Sequence, residues 1–186
     1  MILKFSNNIF FFKKNLIKYI SNIVLYKDEI TCLIHSKSLF KVLYYLKKNS
    51  ITRYALLMDI LAIDKPFQQK RFIIVYKLIS LIYNSKLYIK INFTQATPIE
   101  SSLNLYSAAG WLEREIWDFF GIYFFNHTDL RRILTDYGFI GFPMRKDFPL
   151  SGYFEILYLD EKKRVILELL DVTQDYRFFN FKSPWE

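Results

Sequence analysis

Apolar side chains recur with the period of an α-helix in three stretches of this 186-residue chain. The stretches are residues 8–20, 36–48 and 111–120. The inner face of the second helix would consist of Leu39, Val42, Leu43 and Leu46. Ser36 or Ser38 can cap that helix. Gly121 stands where the third helix should end, because glycine adopts a left-handed conformation without steric cost.

Shorter apolar runs around these helices predict β-strands. The runs are residues 23–26, 29–34, 54–63, 71–83, 86–93, 152–159 and 164–170. Polar turn residues predict three hairpins, at residues 27–28, 84–85 and 160–162. Helices interspersed with strands predict an α+β fold, a two-layer domain with helices packed on a mixed β-sheet.

The segment after the third helix loses this regular pattern. All five glycines of the chain lie between Gly110 and Gly152, and Pro143 and Pro149 also interrupt regular structure here. Residues 129–132 are the one place where a further helical turn is expected. Glycine and proline restrict or release the backbone at particular points, so this segment has a specified shape.

Composition narrows the class of protein. Apolar residues make up 52% and aromatic residues 19% of the chain, which excludes disorder. The single cysteine, Cys32, excludes an internal disulfide framework and a cysteine-rich metal or cluster site, and its strand position indicates a small buried residue. No apolar run reaches the length of about 18–20 residues that a membrane helix needs.

The net charge of +8 is unevenly distributed. Residues 1–110 hold 16 Lys and Arg against 5 Asp and Glu, whereas residues 111–186 hold 10 against 13. The basic residues of the first part are mostly lysines scattered among apolar residues, which favours a solvated face over a nucleic-acid-binding patch.

The predicted helix over residues 111–120 carries charged residues whose spacing argues against catalysis. Glu113 and Glu115 are two positions apart and therefore point about 200° apart around a helix axis. Arg114 and Asp118 have i, i+4 spacing, which predicts an ion pair within the chain or to a partner. His127 is expected to have a hydrogen-bonded role in a loop. No catalytic, cofactor-binding or metal-binding residue is predicted.

Charged and aromatic residues alternate in the irregular segment, and this composition is typical of protein interfaces. The charged residues are Asp129, Arg131, Arg132, Asp136, Arg145, Lys146 and Asp147. The aromatic residues are Tyr137, Phe139, Phe142 and Phe148. The sequence predicts a contact surface in which the carboxylate partner of Arg132 lies across an interface. The alternative is a loop folded onto its own domain.

The last sixteen residues, 171–186, are too aromatic for a solvated tail. Their aromatic residues are Tyr176, Phe178, Phe179, Phe181 and Trp185. We expect an extended docking arm; the rival interpretation makes residues 178–181 an edge strand of the chain's own sheet. The expected organisation is a core domain over residues 1–152, a β-hairpin over 153–170 and the arm over 171–186.

Three blocks of sequence resemble the subunit 9 family, also called the C-subunit or 30 kDa subunit family, of respiratory complex I, the proton-pumping NADH:ubiquinone oxidoreductase. The blocks are residues 113–121, 129–138 and 143–153, which read EREIWDFFG, DLRRILTDYG and PMRKDFPLSGY. The tail, with residues 161–165 and 183–186, is similar to the family as well. Where family members commonly continue with a Glu-Pro-Val strand, this chain has Glu168-Leu169-Leu170-Asp171.

The resemblance implies a structural and assembly role in a hetero-oligomer. Family members lie in the peripheral arm of complex I, against the hydrogenase-like subunit that lines the quinone site, and hold no flavin, iron–sulfur cluster or quinone. The implied location is the matrix side of the mitochondrial inner membrane, with membrane association only through the complex. Lysine excess and the lack of arginine before Arg53 suggest that the chain is mitochondrially encoded. The alternative function is a basic protein that binds organellar RNA or a membrane surface.

Overall fold

The computed structural model of the chain describes residues 11–12, 14–27, 29–171 and 177–185. The chain divides into two compact units, Met1–Phe148 and Pro149–Glu186.

The first unit is built on a five-stranded mixed sheet. Its strands are β1 (Ile20–Tyr26), β2 (Glu29–Ile34), β3 (Leu56–Asp64), β4 (Phe72–Ser80) and β5 (Ser85–Phe93). Their order across the sheet is β1-β2-β5-β4-β3. The β2–β5 pair is parallel and the other three pairs are antiparallel. A small parallel pair is formed by β6 (Ile99–Glu100) and β7 (Phe124–Phe125).

Two helices that the structure describes over their whole length contribute to the core beside this sheet. They are α1 (Leu39–Lys48), which follows a 3₁₀ turn at Ser36–Ser38, and α2 (Ala109–Phe120). The four predicted inner residues of α1 are all buried. Alternate residues of β4, such as Ile74, Tyr76 and Leu78, are also fully buried in the common core. The predicted α+β fold with helices on a mixed sheet is therefore confirmed.

Three local predictions need correction. Ser38 occupies the N-cap position of α1, but its hydroxyl donates to the carbonyl of His35 (2.8 Å) instead of capping the helix. The first predicted helix does not reach Ile20, where β1 begins; residues 11–12 and 14–15 are helical, and the predicted beginning lies outside the described residues. Residues 129–132 form no helical turn; the N–H of Asp129 donates to the His127 ring and the carbonyl of Arg131 accepts from Arg114 instead.

The second unit contains the predicted hairpin. Its strands are β8 (Phe154–Leu159) and β9 (Arg164–Leu169), which pair antiparallel. Residues 177–185 contain no helix or strand, so residues 178–181 are not the edge strand of the rival interpretation. Across the described ranges of both units, no helix is long and apolar enough to span a bilayer.

Candidate interaction surface

The end of α2 determines where the irregular segment starts. Gly121 adopts a left-handed conformation (φ 68°, ψ 34°) and its N–H donates to the carbonyl of Trp117 at 2.9 Å, which confirms the predicted helix end. A Cβ atom at this position would lie 2.6 Å from both the Arg145 guanidinium and the Phe142 ring. Gly121 is therefore required for its backbone conformation and for the close approach of the segment that follows. We call residues 126–148 the post-helix loop.

A buried carboxylate on α2 anchors the first half of the post-helix loop. Asp118 accepts hydrogen bonds at Oδ2 from the backbone N–H groups of Ile133, Leu134 and Thr135, at 3.2, 2.7 and 2.9 Å. Its Oδ1 accepts from the Thr135 hydroxyl at 2.7 Å. Burial would raise the pKa of Asp118, but these hydrogen bonds outweigh it and hold the pKa below its ordinary value. The ionised carboxylate fixes this turn of the loop.

Arg132 completes the same anchor. Its Nη1 lies 3.7 Å from Oδ1 of Asp118, and its Nη2 donates to the carbonyl of Gly141 at 2.8 Å. Its guanidinium also lies over the ring of Phe142, 5.0 Å from the centroid. The sequence placed the carboxylate partner of Arg132 across an interface, whereas the structure places that partner, Asp118, inside the same domain.

The predicted i, i+4 ion pair between Arg114 and Asp118 on α2 is also wrong. Arg132 occupies the side of Asp118, while Arg114 lies over the ring of Trp111 at 5.1 Å and donates from Nε to the carbonyl of Arg131 at 3.0 Å. Helical spacing identified a residue near the loop but not its contact.

A second anchor holds the far end of the post-helix loop against the sheet. Arg71 makes a bidentate pair with Asp64, at 2.6 and 2.7 Å, and its Nη1 lies 3.0 Å from Asp147. The backbone N–H of Lys146 donates to Asp64 Oδ2 at 2.9 Å. The hydrogen bond from Arg71 lowers the pKa of Asp64 and also that of Asp147. The loop is thereby tied to the adjoining ends of β3 and β4.

Arg145 packs between these two anchors. Its Nε donates to the carbonyl of Phe120 at 2.6 Å, and its guanidinium lies over the rings of Phe142 (4.4 Å) and Phe72 (5.4 Å). Burial lowers the pKa of Arg145. The N–H of Met144 donates to the carbonyl of Phe119 at 3.1 Å. The alternative of a loop folded onto its own domain therefore describes this part of the segment.

Glu113 of α2 and the loop residue His127 are also committed within the domain. Glu113 is fully buried, and its carboxylate accepts from the Ser101 hydroxyl (2.6 Å) and from the N–H and hydroxyl of Ser102 (2.8 and 2.7 Å). Burial raises the pKa of Glu113 against the effect of these hydrogen bonds. His127 contacts the carbonyl of Gly110 through Nε2 at 3.2 Å and accepts from the N–H of Asp129 through Nδ1, a hydrogen-bonded loop role.

The outer side of the post-helix loop presents apolar side chains to solvent. Tyr137 is completely exposed, and Leu134, Ile140 and Met144 are 56%, 70% and 55% exposed. Arg131 and Asp129 form an exposed ion pair at 3.0 Å beside them. Two fixed anchors below and an apolar outer side make this loop a preformed surface rather than a mobile connection.

The predicted contact residues fall into three groups by exposure. Asp118 is buried. The partly buried residues are Arg114, Arg132, Arg145 and Phe148. The exposed residues are Asp129, Arg131, Asp136, Tyr137, Lys146, Asp147, Phe178, Phe179 and Trp185. Tyr176 lies outside the described residues. Sequence reasoning missed Asp64 and Arg71, since the six residues between them separate two strand ends that meet only in the folded sheet.

The chain matches the family model described as "Respiratory-chain NADH dehydrogenase, 30 Kd subunit" over residues 32–154. It is 50% identical over 169 residues to NADH-ubiquinone oxidoreductase subunit 9 of Reclinomonas americana, covering 91% of this chain and 83% of that protein. It is 51% identical over 148 residues to NADH dehydrogenase [ubiquinone] iron-sulfur protein 3 of Arabidopsis thaliana, covering 80% and 78%.

Two solved structures share the fold. A trypsin-resistant fragment of Nqo5 superposes with a TM-score of 0.57 at 23% identity, covering 70% of this chain and 100% of the fragment. A chain of the membrane-bound sulfane sulfur reductase, an archaeal respiratory membrane complex, superposes with a TM-score of 0.69 at 21% identity, covering 94% of this chain and 99% of that chain.

Proposed function

Because the chain belongs to the 30 kDa subunit family of respiratory-chain NADH dehydrogenase, we propose that it is a structural subunit of the peripheral arm of respiratory complex I. In this role it supports electron transfer from NADH to ubiquinone, coupled to proton pumping, by positioning other subunits. The observation that carries the proposal is the identity of about one half over nine-tenths of the chain. The comparisons give no support to the alternative of an RNA-binding or membrane-surface-binding protein.

The post-helix loop is the surface through which we propose that the chain meets its neighbour. Its exposed apolar residues, among them Tyr137 and Ile140, stand on backbone that Asp118 and Asp64 already hold in place. A surface that is ordered before binding loses less conformational entropy on association. The neighbour in this proposal is the hydrogenase-like subunit of the quinone site, and Arg131 with Asp129 would lie at the polar rim.

The C-terminal segment is proposed as a second contact. Phe181 and Trp185 are 92% and 94% exposed, and Phe179 is 67% exposed. Aromatic side chains of this size are costly in water and are enriched at binding sites. We therefore keep the docking arm over residues 171–186 as a proposal.

The mitochondrial relatives support a mitochondrial location. Within the mitochondrion, we propose that the chain lies on the matrix side of the inner membrane and is mitochondrially encoded.

The function is tested by expressing the tagged full-length chain in place of the native one and purifying it after mild detergent solubilisation. We expect it in one large particle, in fixed stoichiometry, with NADH:quinone activity. A chain that migrates freely while the active particle forms without it would overturn the proposal.

The loop surface needs its own variant. Ile140→Asp should lower incorporation into the particle at least about tenfold, because a charge would be buried in an apolar contact. Leu81→Asp, in the β4–β5 turn, is the matched control, since Leu81 is 72% and Ile140 70% exposed. Both free chains should melt like wild type. Normal incorporation of the Ile140→Asp chain would remove the loop from the interface.

A further inference from the structure

The β8–β9 hairpin carries apolar side chains on one entire face. Opposite each other in its register lie Phe154 and Leu169, Ile156 and Leu167, and Tyr158 and Val165. Side chains alternate between the two faces of a strand, and directly paired residues share a face, so these six residues form one surface. We call it the hairpin face. The intervening pairs, which include Glu155 with Glu168, point to the other side.

The hairpin face is exposed along its whole length. The exposed fraction of its side chains runs from 44% at Phe154 to 74% at Leu169. On the opposite face, Leu157, Leu159 and Ile166 are partly buried. The exposed apolar area is on the order of 500 Å², at the upper end for a patch on a monomer. A two-stranded hairpin is marginally stable alone, so the complete protein needs something to cover this face.

We propose that the hairpin face binds the apolar stripe of one amphipathic helix from a neighbouring subunit of the assembly. The inference rests on the proposed function for the source of that helix. Two strands about 4.8 Å apart make a ribbon with side chains about as wide as a single helix, roughly 10 Å. The three residue pairs span about 14 Å along the strands, which equals roughly nine or ten residues of helix.

Charge and buried area favour a helix over two other occupants, an anionic lipid surface and a second copy of the chain. None of the six side chains is charged, whereas a surface for anionic lipid combines apolar residues with Lys and Arg. Two copies packed face to face would bury only on the order of 1,000 Å² in total, and obligate homodimers bury about twice that area or more. A helix within a larger interface needs no such area from the hairpin alone.

The native cysteine makes a direct test possible. Cys32 is buried, and burial raises the pKa of its thiol to about 12, so it will not react with thiol reagents in the folded chain. A Leu167→Cys variant therefore offers one reactive thiol, on the hairpin face. The full-length variant is labelled with a thiol-specific photocrosslinker as a free chain, before it assembles. In the assembled particle it should then crosslink to one segment of a neighbouring subunit with helical apolar periodicity. Leu81→Cys is the control and should not give that crosslinked peptide.

The other occupants are outcomes of the same experiment, and each would overturn the proposal. They are a crosslink to residues 1–148 of the same chain, to a second copy, or to lipid. Leu167→Asp adds a functional readout, with an expected loss of incorporation of at least about tenfold and an unchanged melting temperature of the free chain.

The result also distinguishes the two proposals. If wild type itself never enters the particle, the proposed function fails. If wild type and Leu167→Asp enter equally well, only the hairpin inference fails. If Leu167→Asp melts markedly earlier as a free chain, the hairpin face is covered within its own chain and the inference is wrong.

Discussion

At the scale of single residues, the carboxylate of Asp118 accepts hydrogen bonds from backbone groups that regular secondary structure would otherwise pair. It accepts from three consecutive N–H groups and from the hydroxyl of Thr135 while its own side chain is inaccessible to water. Buried backbone groups without a partner are costly, so an irregular loop needs such an acceptor. One side chain thus replaces the regular hydrogen bonding that the loop lacks.

Asp118→Ala should lower the free energy of unfolding by about 3–5 kcal/mol, because it leaves three N–H groups without their acceptor and the partly buried Arg132 without its carboxylate partner. Asp129→Ala is the matched control. Its pair with Arg131 is solvent-exposed, and the expected loss is about 0–1 kcal/mol. Urea unfolding of the free chains measures both. Equal losses would contradict the anchoring role of Asp118.

The pH dependence of stability follows from the Asp64 carboxyl. Its pKa is lowered by the hydrogen bond from Arg71, so it stabilises the fold above its unfolded pKa of about 4. That contribution is lost as the pH falls through the lower, folded pKa. We expect the free energy of unfolding to decline on the acid side of about pH 4, and Asp64→Asn to flatten the decline. Unfolding curves of wild type and Asp64→Asn between pH 3 and 7 measure the two slopes, and equal slopes would contradict the role of Asp64.

At the scale of elements, the junction of α2 with the post-helix loop depends on one glycine. Gly121 ends the helix, and the Arg145 guanidinium and Phe142 ring pack directly onto its Cα. Gly138 shares the positive φ, at +77°, but a Cβ there would meet nothing within 4 Å. Alanine substitutions at the two glycines therefore separate the energetic cost of the left-handed conformation from the cost of the steric clash.

Gly138→Ala should destabilise by about 1 kcal/mol, the cost of a left-handed alanine. Gly121→Ala should cost about 2–4 kcal/mol, because the added methyl group also displaces Arg145 and Phe142. Thermal or urea unfolding gives the comparison directly. If the two variants lose the same stability, the close packing on Gly121 has no energetic role.

Elements with a local signal were predictable from sequence. The helix before Gly121 and the hairpin around Asn84, which has φ 44°, follow from periodicity and from turn residues. The β2–β5 pairing was not predictable at this level, because no local pattern distinguishes one buried strand partner from another.

The contacts of the candidate surface had no such signal. The N–H of Lys146 reaches Asp64 across 82 positions of sequence. Arg132 lies 14 positions after Asp118, a separation that no local rule connects with a contact, whereas Arg114 had the helical spacing and was chosen instead. Composition predicted a contact surface in this segment, and that remains a prediction; only the fold shows which side chains hold the segment and which face outward.

At the scale of the whole molecule, the chain offers two kinds of surface. The post-helix loop belongs to the first unit and is held by its own anchors, whereas residues 177–185 of the second unit contain no regular element and expose Phe181 and Trp185. In our proposal the two contribute differently to assembly, since a preformed surface loses less conformational entropy on binding than an extended segment does.

Deletion of residues 174–186 should leave a folded, soluble chain that enters complex I poorly. The sheet, both helices and both loop anchors lie before that point, so circular dichroism and the melting temperature should match those of the full chain. The second measurement is incorporation into the purified particle. Loss of the folded spectrum, or normal incorporation of the shortened chain, would refute the docking arm.

The parallel pairing of β2 with β5 has a consequence for synthesis. Ile30 pairs with Leu87, so one edge of β2 has no partner until more than fifty further residues have left the ribosome. The β3–β4 and β4–β5 hairpins close locally, and local closure is faster than closing a long loop. We therefore expect the three-stranded meander to form first and the β1–β2 hairpin to dock onto β5 afterwards. Until then the nascent chain exposes an unpaired sheet edge, so we expect this interval to be the one in which it is most prone to aggregate.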